Sequence, residues 1–205
     1  MTCLQARCSP TGVRGFAFAL GVVALFAITG CAAIVPKGAS AIYDLSAPTA
    51  VPGGGRGNAQ LLVPEPFTLK SLDTERIAAR PTPANYAYLS GALWSDRLPK
   101  LLQARLVETF QNSGRVRAAA VPGQGLLIDY QVVLDVRAFE YTPSGAVAEF
   151  AVKLMDDRGG RVVAARTVRE VIPLAGTDTA SIVAGLDAAM DAAFVDIAGW
   201  VLQRV

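Results

Sequence analysis

Two alternating runs joined by a short turn constrain this fold more than any other feature of the chain. In "DYQVVLDVRAF" (129–139), Tyr130, Val132, Leu134 and Val136 fall on one side, and Asp129, Gln131, Asp135 and Arg137 on the other. That is the period of two expected of a half-buried strand. "TPSG" (142–145) supplies a turn, and "AVAEFAVKLMD" (146–156) returns with Ala148, Phe150, Val152 and Leu154 inward. The Gly-containing turn "DDRGGR" (156–161) leads into a third strand over 162–172. Strands joined in this way make an antiparallel meander with one apolar face, and that face needs a cover.

Two helical patterns offer the cover. In the first, Leu98, Leu101, Leu102, Leu106 and Phe110 recur at helical spacing, with Lys100, Arg105 and Glu108 off the stripe. Ser95 or Asp96 is placed to cap it, Pro99 falls in its first turn, and Gly114 stops it. The second runs from Asp178 to Val205, capped by Thr177 or Asp178. Its stripe is Ile182, Leu186, Met190, Phe194, Ile197 and Val201, while Asp187, Asp191 and Asp196 lie on other faces. Upstream, "LLVPEPFTL" (61–69) reads as a strand whose Pro64 and Pro66 suit only an edge or an end. "ANYAYLSGALW" (84–94) is a further strand. The expected fold is a two-layer α+β domain: a mostly antiparallel sheet with two main helices packed on one face.

The first thirty residues belong to a different class of segment. Arg7 and Arg14 form a positive start, and "FAFALGVVALFAI" (16–28) is an apolar run of signal-peptide length. "ITGC" (28–31) resembles the bacterial lipobox, in which an apolar and two small residues precede a cysteine that is lipidated and becomes the mature N-terminus. Cys31 is therefore the expected lipidation site. An uncleaved anchor is a competing reading, since 15–36 carries no charge and a span needs about 20 residues. A secretory signal cut at a nearby small residue is another. Ala32, rather than Asp, follows the cysteine, which by resemblance to enterobacterial sorting favours the outer membrane. The expected organisation is a lipoprotein signal peptide (1–30), a lipidated N-terminus with a short strand and flexible linker (31–60), and the α+β domain (61–205). The Pro- and Gly-rich stretch 46–60 reads as a loop or linker. Its Gly53-Gly54-Gly55 lacks the Gly-Lys-Ser/Thr ending of a phosphate loop.

Composition narrows the chemistry. The chain has no histidine, and its three cysteines, Cys3, Cys8 and Cys31, all lie at or before residue 31. The commonest general acid/base is missing, and so is any Cys/His zinc site beyond Cys31. Without Arg7 and Arg14, the remaining 17 basic residues balance the 17 acidic ones, which gives no electrostatic case for nucleic acid as a ligand. Asp156 and Asp157 sit in a Gly-containing turn. Asp187 and Asp191, four apart on one helix, are read as a polar stripe rather than a cation site or an acid pair. No cofactor is expected. Tyr86, Trp94 and Trp200 are candidate partner or groove contacts, with the two tryptophans read alternatively as core anchors. These features argue for a binding or assembly role.

In order and spacing, these pieces resemble the ABC-type transport auxiliary lipoproteins, the group that includes the paraquat-inducible protein C type. The resemblance begins at Cys31 and the short strand Tyr43-Asp44-Leu45. It continues past Asp73, Ile77 and Arg80 into "YAYLSGALWSDRLPKLLQARL" (86–106), where Tyr86, Trp94, Pro99 and Leu101 match the family's aromatic, tryptophan, proline and helix opening. "LDVRAFEY" (134–141) is similar to its central strand, "LMDDRGGRVVAARTV" (154–168) to its next hairpin, and "IAGWV" (197–201) to the end of its last helix. The Gly-rich insert at 53–57 departs from the usual short connection.

The resemblance implies a non-catalytic, periplasm-facing component anchored through Cys31, working beside an ABC permease and ATPase and an MCE-type membrane protein. Together these move phospholipids or other hydrophobic molecules across the cell envelope. Direct lipid binding by the domain, and a homo-oligomer, stay open. A structural outer-membrane or cell-wall lipoprotein with no transport role is the alternative, and a carboxylate-only periplasmic enzyme is a third.

Overall fold

The computed structural model describes residues 40–205, so Cys31 and the segment 1–30 lie outside the described residues. In chain order the elements are β1 (Ala41–Tyr43), β2 (Gln60–Leu62), β3 (Phe67–Thr68), β4 (Arg76–Thr82), β5 (Asn85–Trp94) and α1 (Leu98–Asn112). They continue with β6 (Ala118–Ala120), β7 (Tyr130–Thr142), β8 (Gly145–Asp156), β9 (Arg161–Ile172) and α2 (Thr179–Leu202). Among the described residues the fold is α+β, one nine-stranded mixed sheet with two helices.

The meander forms as the alternation requires. β7, β8 and β9 pair antiparallel along nearly their whole length, from Tyr130↔Asp156 to Thr142↔Gly145 and from Ala146↔Ile172 to Asp156↔Arg161. Gly145 sits at positive φ (127°), and a Cβ there would collide with the Ile172 carbonyl, so the turn accepts only glycine. The other edge of β7 is shared among three short parallel partners. β2 meets it at Tyr130, β3 at Asp135 and β4 at Tyr141. Pro64 and Pro66 account for the interruption between β2 and β3: neither can donate to a ladder, so the run 61–69 is split in two. β5 pairs antiparallel with β4, β1 adds parallel to β5, and β6 adds parallel to β2.

Alternation along β7 holds only to Val136. A bulge between Val136 and Ala138 shifts the register, so Phe139 turns toward the helices while Arg137, Ala138 and Glu140 face the opposite side. Val132, Leu134, Val136 and Phe139 then join Ala148, Phe150, Val152 and Leu154 in one core with the apolar stripes of α1 and α2. An aromatic chain crosses this core. Ring centroids are 6.0 Å apart from Trp94 to Phe139, 6.4 Å to Phe150 and 5.5 Å to Phe194.

Both helix starts depart from symmetry. α2 is capped by Asp178, whose carboxylate accepts from Ser181 N at 3.0 Å and Ser181 Oγ at 2.6 Å. Neither Ser95 nor Asp96 caps α1, contrary to expectation. Arg97 stands at the cap without a side-chain bond, and Asp96 Oδ1 accepts from Arg97 N instead. Pro99 removes one of the amides a cap would serve, and Leu98 N donates to Thr74 O at 3.1 Å. Residues 44–59 carry no regular element, yet Leu45, Val51 and Ala59 are buried. Asn112 Nδ2 donates to Pro48 O, and Gly57 N to Arg115 O. No helix of the described residues is long and apolar enough to cross a membrane.

Candidate functional site

The face of the sheet turned away from the helices carries an open cleft of about 570 Å³. Two strand ends with the turns that follow wall it, the end of β4 with Pro83 (81–83) and the end of β7 with the turn to β8 (142–144). Ala138 and Val147 form its floor, and Val171 of β9 its apolar rim. Five charged side chains surround them: Arg80, Arg137, Arg169, Glu140 and Glu149. The bulge in β7 is what brings Ala138 and Glu140 here beside Arg137, because unbroken alternation would have sent Ala138 and Glu140 into the core.

Glu140 is 4% exposed, and a carboxylate so enclosed requires partners. Tyr86 Oη donates to Glu140 Oε2. The Nε of Arg80 approaches Oε1 to 2.6 Å as an ion pair, off the line of a hydrogen bond. The Arg80 guanidinium also lies 4.5 Å from the Tyr86 ring centre, and its Nη1 donates to Pro83 O at 3.2 Å. Burial above all, and then the bond to Glu140, push the Tyr86 phenol above its ordinary pKa, so it stays a donor. The bond to Tyr86 and the charge of Glu140 raise Arg80 in turn. Across the cleft Arg169 pairs with Glu149. Arg137, exposed on the bulge, reaches only Thr167 Oγ1, at 3.4 Å. Among the charged residues lining the cleft, it alone has no opposite charge within ion-pair distance.

The residues singled out from the sequence are scattered rather than gathered. Tyr86 is half-buried behind the cleft. Trp94 is a core anchor, 2% exposed against Phe139, and so offers no surface to a partner. Trp200 is half-buried on α2, with the guanidiniums of Arg204 and Arg166 at 4.6 Å and 5.9 Å from its ring. Asp187 and Asp191 lie elsewhere on the same helix. Asp187 accepts from Ser46 N and Ser46 Oγ, both at 2.7 Å, and so fastens the incoming chain. Asp191 has a buried Oδ1 with no partner; burial and the neighbouring Asp187 charge push its carboxyl up to about 6. Among the described residues no cluster of acids is arranged to hold a metal ion. The cleft itself was missed in the sequence. Its signal is the break in parity at "VRAF" (136–139), where apolar residues move from even to odd positions.

The model of the ABC-type transport auxiliary lipoprotein component family matches residues 43–198. Among curated proteins, the uncharacterized protein bll6063 of Bradyrhizobium diazoefficiens is 32% identical over 166 residues, covering 80% of this chain. The chain spans only 45% of that relative's length. The crystal structure of protein XCC0632 from Xanthomonas campestris is 31% identical, with a TM-score of 0.74 over 80% of this chain and 95% of that one. The crystal structure of a further uncharacterized protein is 16% identical and covers 80% and 99% of the two chains at a TM-score of 0.65, a likeness of fold alone. The match takes in every element from the end of β1 to most of α2, and by it the chain belongs to the family of ABC-type transport auxiliary lipoprotein components.

Proposed function

We propose that this chain is the lipid-anchored, non-catalytic member of an ABC/MCE-type system that moves phospholipids or other hydrophobic molecules through the cell envelope. The observation that carries the reading is the family match over 43–198, directly downstream of a lipobox at 28–31. Acyl chains on Cys31 would anchor it firmly if two or more are present, at about 0.8 kcal/mol per buried CH₂. Nine residues lie between Cys31 and Ala41, and the ten steps from one to the other span at most about 35 Å when extended. Such an anchor would hold the sheet close to one leaflet, facing the periplasm; the residue after the cysteine, Ala32, favours the outer membrane.

The charges of the open face support a contact role over catalysis. The cleft pairs its carboxylates with arginines and holds no nucleophile beside a base. Tyr86 and Trp200, each half-buried beside a guanidinium, are the proposed groove and partner contacts. The test is mild detergent extraction from cells that express the permease, the ATPase and the MCE protein. Co-isolation of the chain with the MCE protein is expected, and to be lost when Cys31→Ser prevents anchoring. Recovery of the chain alone from such cells would overturn the reading.

A further inference from the structure

The cleft on the open face has a charge balance that selects its occupant. Three guanidiniums and two carboxylates line it, leaving one net positive charge. Both carboxylates are already engaged, Glu140 by Arg80 and Tyr86, and Glu149 by Arg169. An incoming anion therefore meets no free carboxylate. It meets Arg137, whose contact with Thr167 Oγ1, at 3.4 Å, is weak enough to exchange. Beside that charge the accessible surface turns apolar at Val171 on the rim, 41% exposed, over a closed floor of Ala138 and Val147, 8% and 2% exposed. The volume, about 570 Å³, is within the ordinary range for small-molecule sites of roughly 300–1,000 Å³.

We infer that this cleft binds an amphiphile with a single acidic head group, carboxylate or phosphate, on Arg137, and lays its aliphatic chain against Val171, across the closed floor of Ala138 and Val147. The guanidinium offers a planar fork to either kind of head. A quaternary ammonium head would face an unpaired like charge. A nucleic acid would need a track of unpaired cations, and in this cleft Arg137 alone is unpaired. The cleft is fixed on both sides by turns and ion pairs, so little ordering opposes binding. This inference rests on the proposed transport role only for where the amphiphile comes from; the site itself is read from the cleft.

The test uses the full chain in phosphatidylcholine vesicles, irradiated with a diazirine-bearing palmitate or, in a parallel arm, a diazirine-bearing phosphatidic acid. Adducts are then mapped by peptide mass. Labelling is expected on peptides containing Val147 or Val171, and the stronger of the two arms tells free fatty acid from phospholipid. Arg137→Gln should reduce it about tenfold, the loss of one charge-assisted contact, while Arg137→Lys keeps much of it. Octanoate and octyl phosphate should compete, and octyltrimethylammonium should not. Val171→Asp, which leaves Arg137 in place, should also abolish labelling, with circular dichroism confirming that each variant is folded. Labelling that survives Arg137→Gln, adducts that map elsewhere, or inorganic phosphate competing as well as octyl phosphate would each overturn the inference. The experiment needs no partner protein, so it can fail while co-isolation with the MCE protein succeeds, and the reverse.

Discussion

The helical face and the open face of the sheet are built from the same three long strands, yet different physics holds them together. On the helical face, Phe139, Phe150 and Phe194 stack through the core with centroids 5.5–6.4 Å apart, each at most 1% exposed. Its stability comes from removing apolar area from water, a term that is indifferent to direction and pH. On the open face, Glu140–Arg80 and Glu149–Arg169 are satisfied pair by pair, and Arg137 is left over. The contrast shows where each kind of substitution will register: volume on one side, charge on the other. A single extra residue at the β7 bulge separates the two.

The strongest way to break that contrast is Phe150→Ala. It removes the middle of the aromatic chain, and a loss of about 4 kcal/mol is expected, read as a lower urea midpoint at unchanged slope. A loss below about 1 kcal/mol would mean that the helical face is not the one that sets stability. Glu140→Gln tests the other side. It leaves Arg80 with no carboxylate at a site only partly open to water, and about 2 kcal/mol should be lost, less than for a fully buried pair. Adding salt should weaken the wild type little, because the Glu140 side chain is 5% exposed.

The smallest effect sharpens the comparison by locating the ionisable group that is out of place on the helix side. Asp191 holds its proton up to about pH 6, above the unfolded value of about 3.9. The native state therefore binds more protons than the unfolded state between those values, and stability falls as pH rises through that window. Asp191→Asn should stabilise the protein by about 1 kcal/mol at pH 7.5, after allowance for solvent screening of a group that is partly exposed. The gain should fade toward zero near pH 4. A gain that is the same at both pH values would assign the effect to packing.

What was legible in the sequence followed from periodicity. The meander and both helices were readable because Val132, Phe150 or Leu186 repeat at the spacing of their element. The short strands were not, since their state is decided by distant partners. β6 is "AAA", a triplet with helical preference that becomes a strand only by lying against β2. β4, "RIAARPT", contains just one β-branched residue before Pro81 and is held by β5 and β7. The cleft needed still more: a bulge, two turns and a buried Glu–Tyr pair, none of which has a fixed spacing. For Trp94 the structure takes the core-anchor reading over the contact one, since an aromatic beside a helix start has the same sequence signature in either role.

The pairing of β7 has a consequence for how the chain matures. A polypeptide emerges N-terminus first, but β3 and β4 find their parallel partner only in β7, β2 finds its partners in β6 and β7, and β1 finds its partner in β5. The meander from Tyr130 to Ile172 closes through two local hairpins and can form early, whereas the earlier strands must wait and dock across long loops. Completion therefore runs against the direction of synthesis. A chain arrested before residue 130 would present β2, β3 and one edge of β4 without β7, the kind of unpaired edge from which misassembly starts.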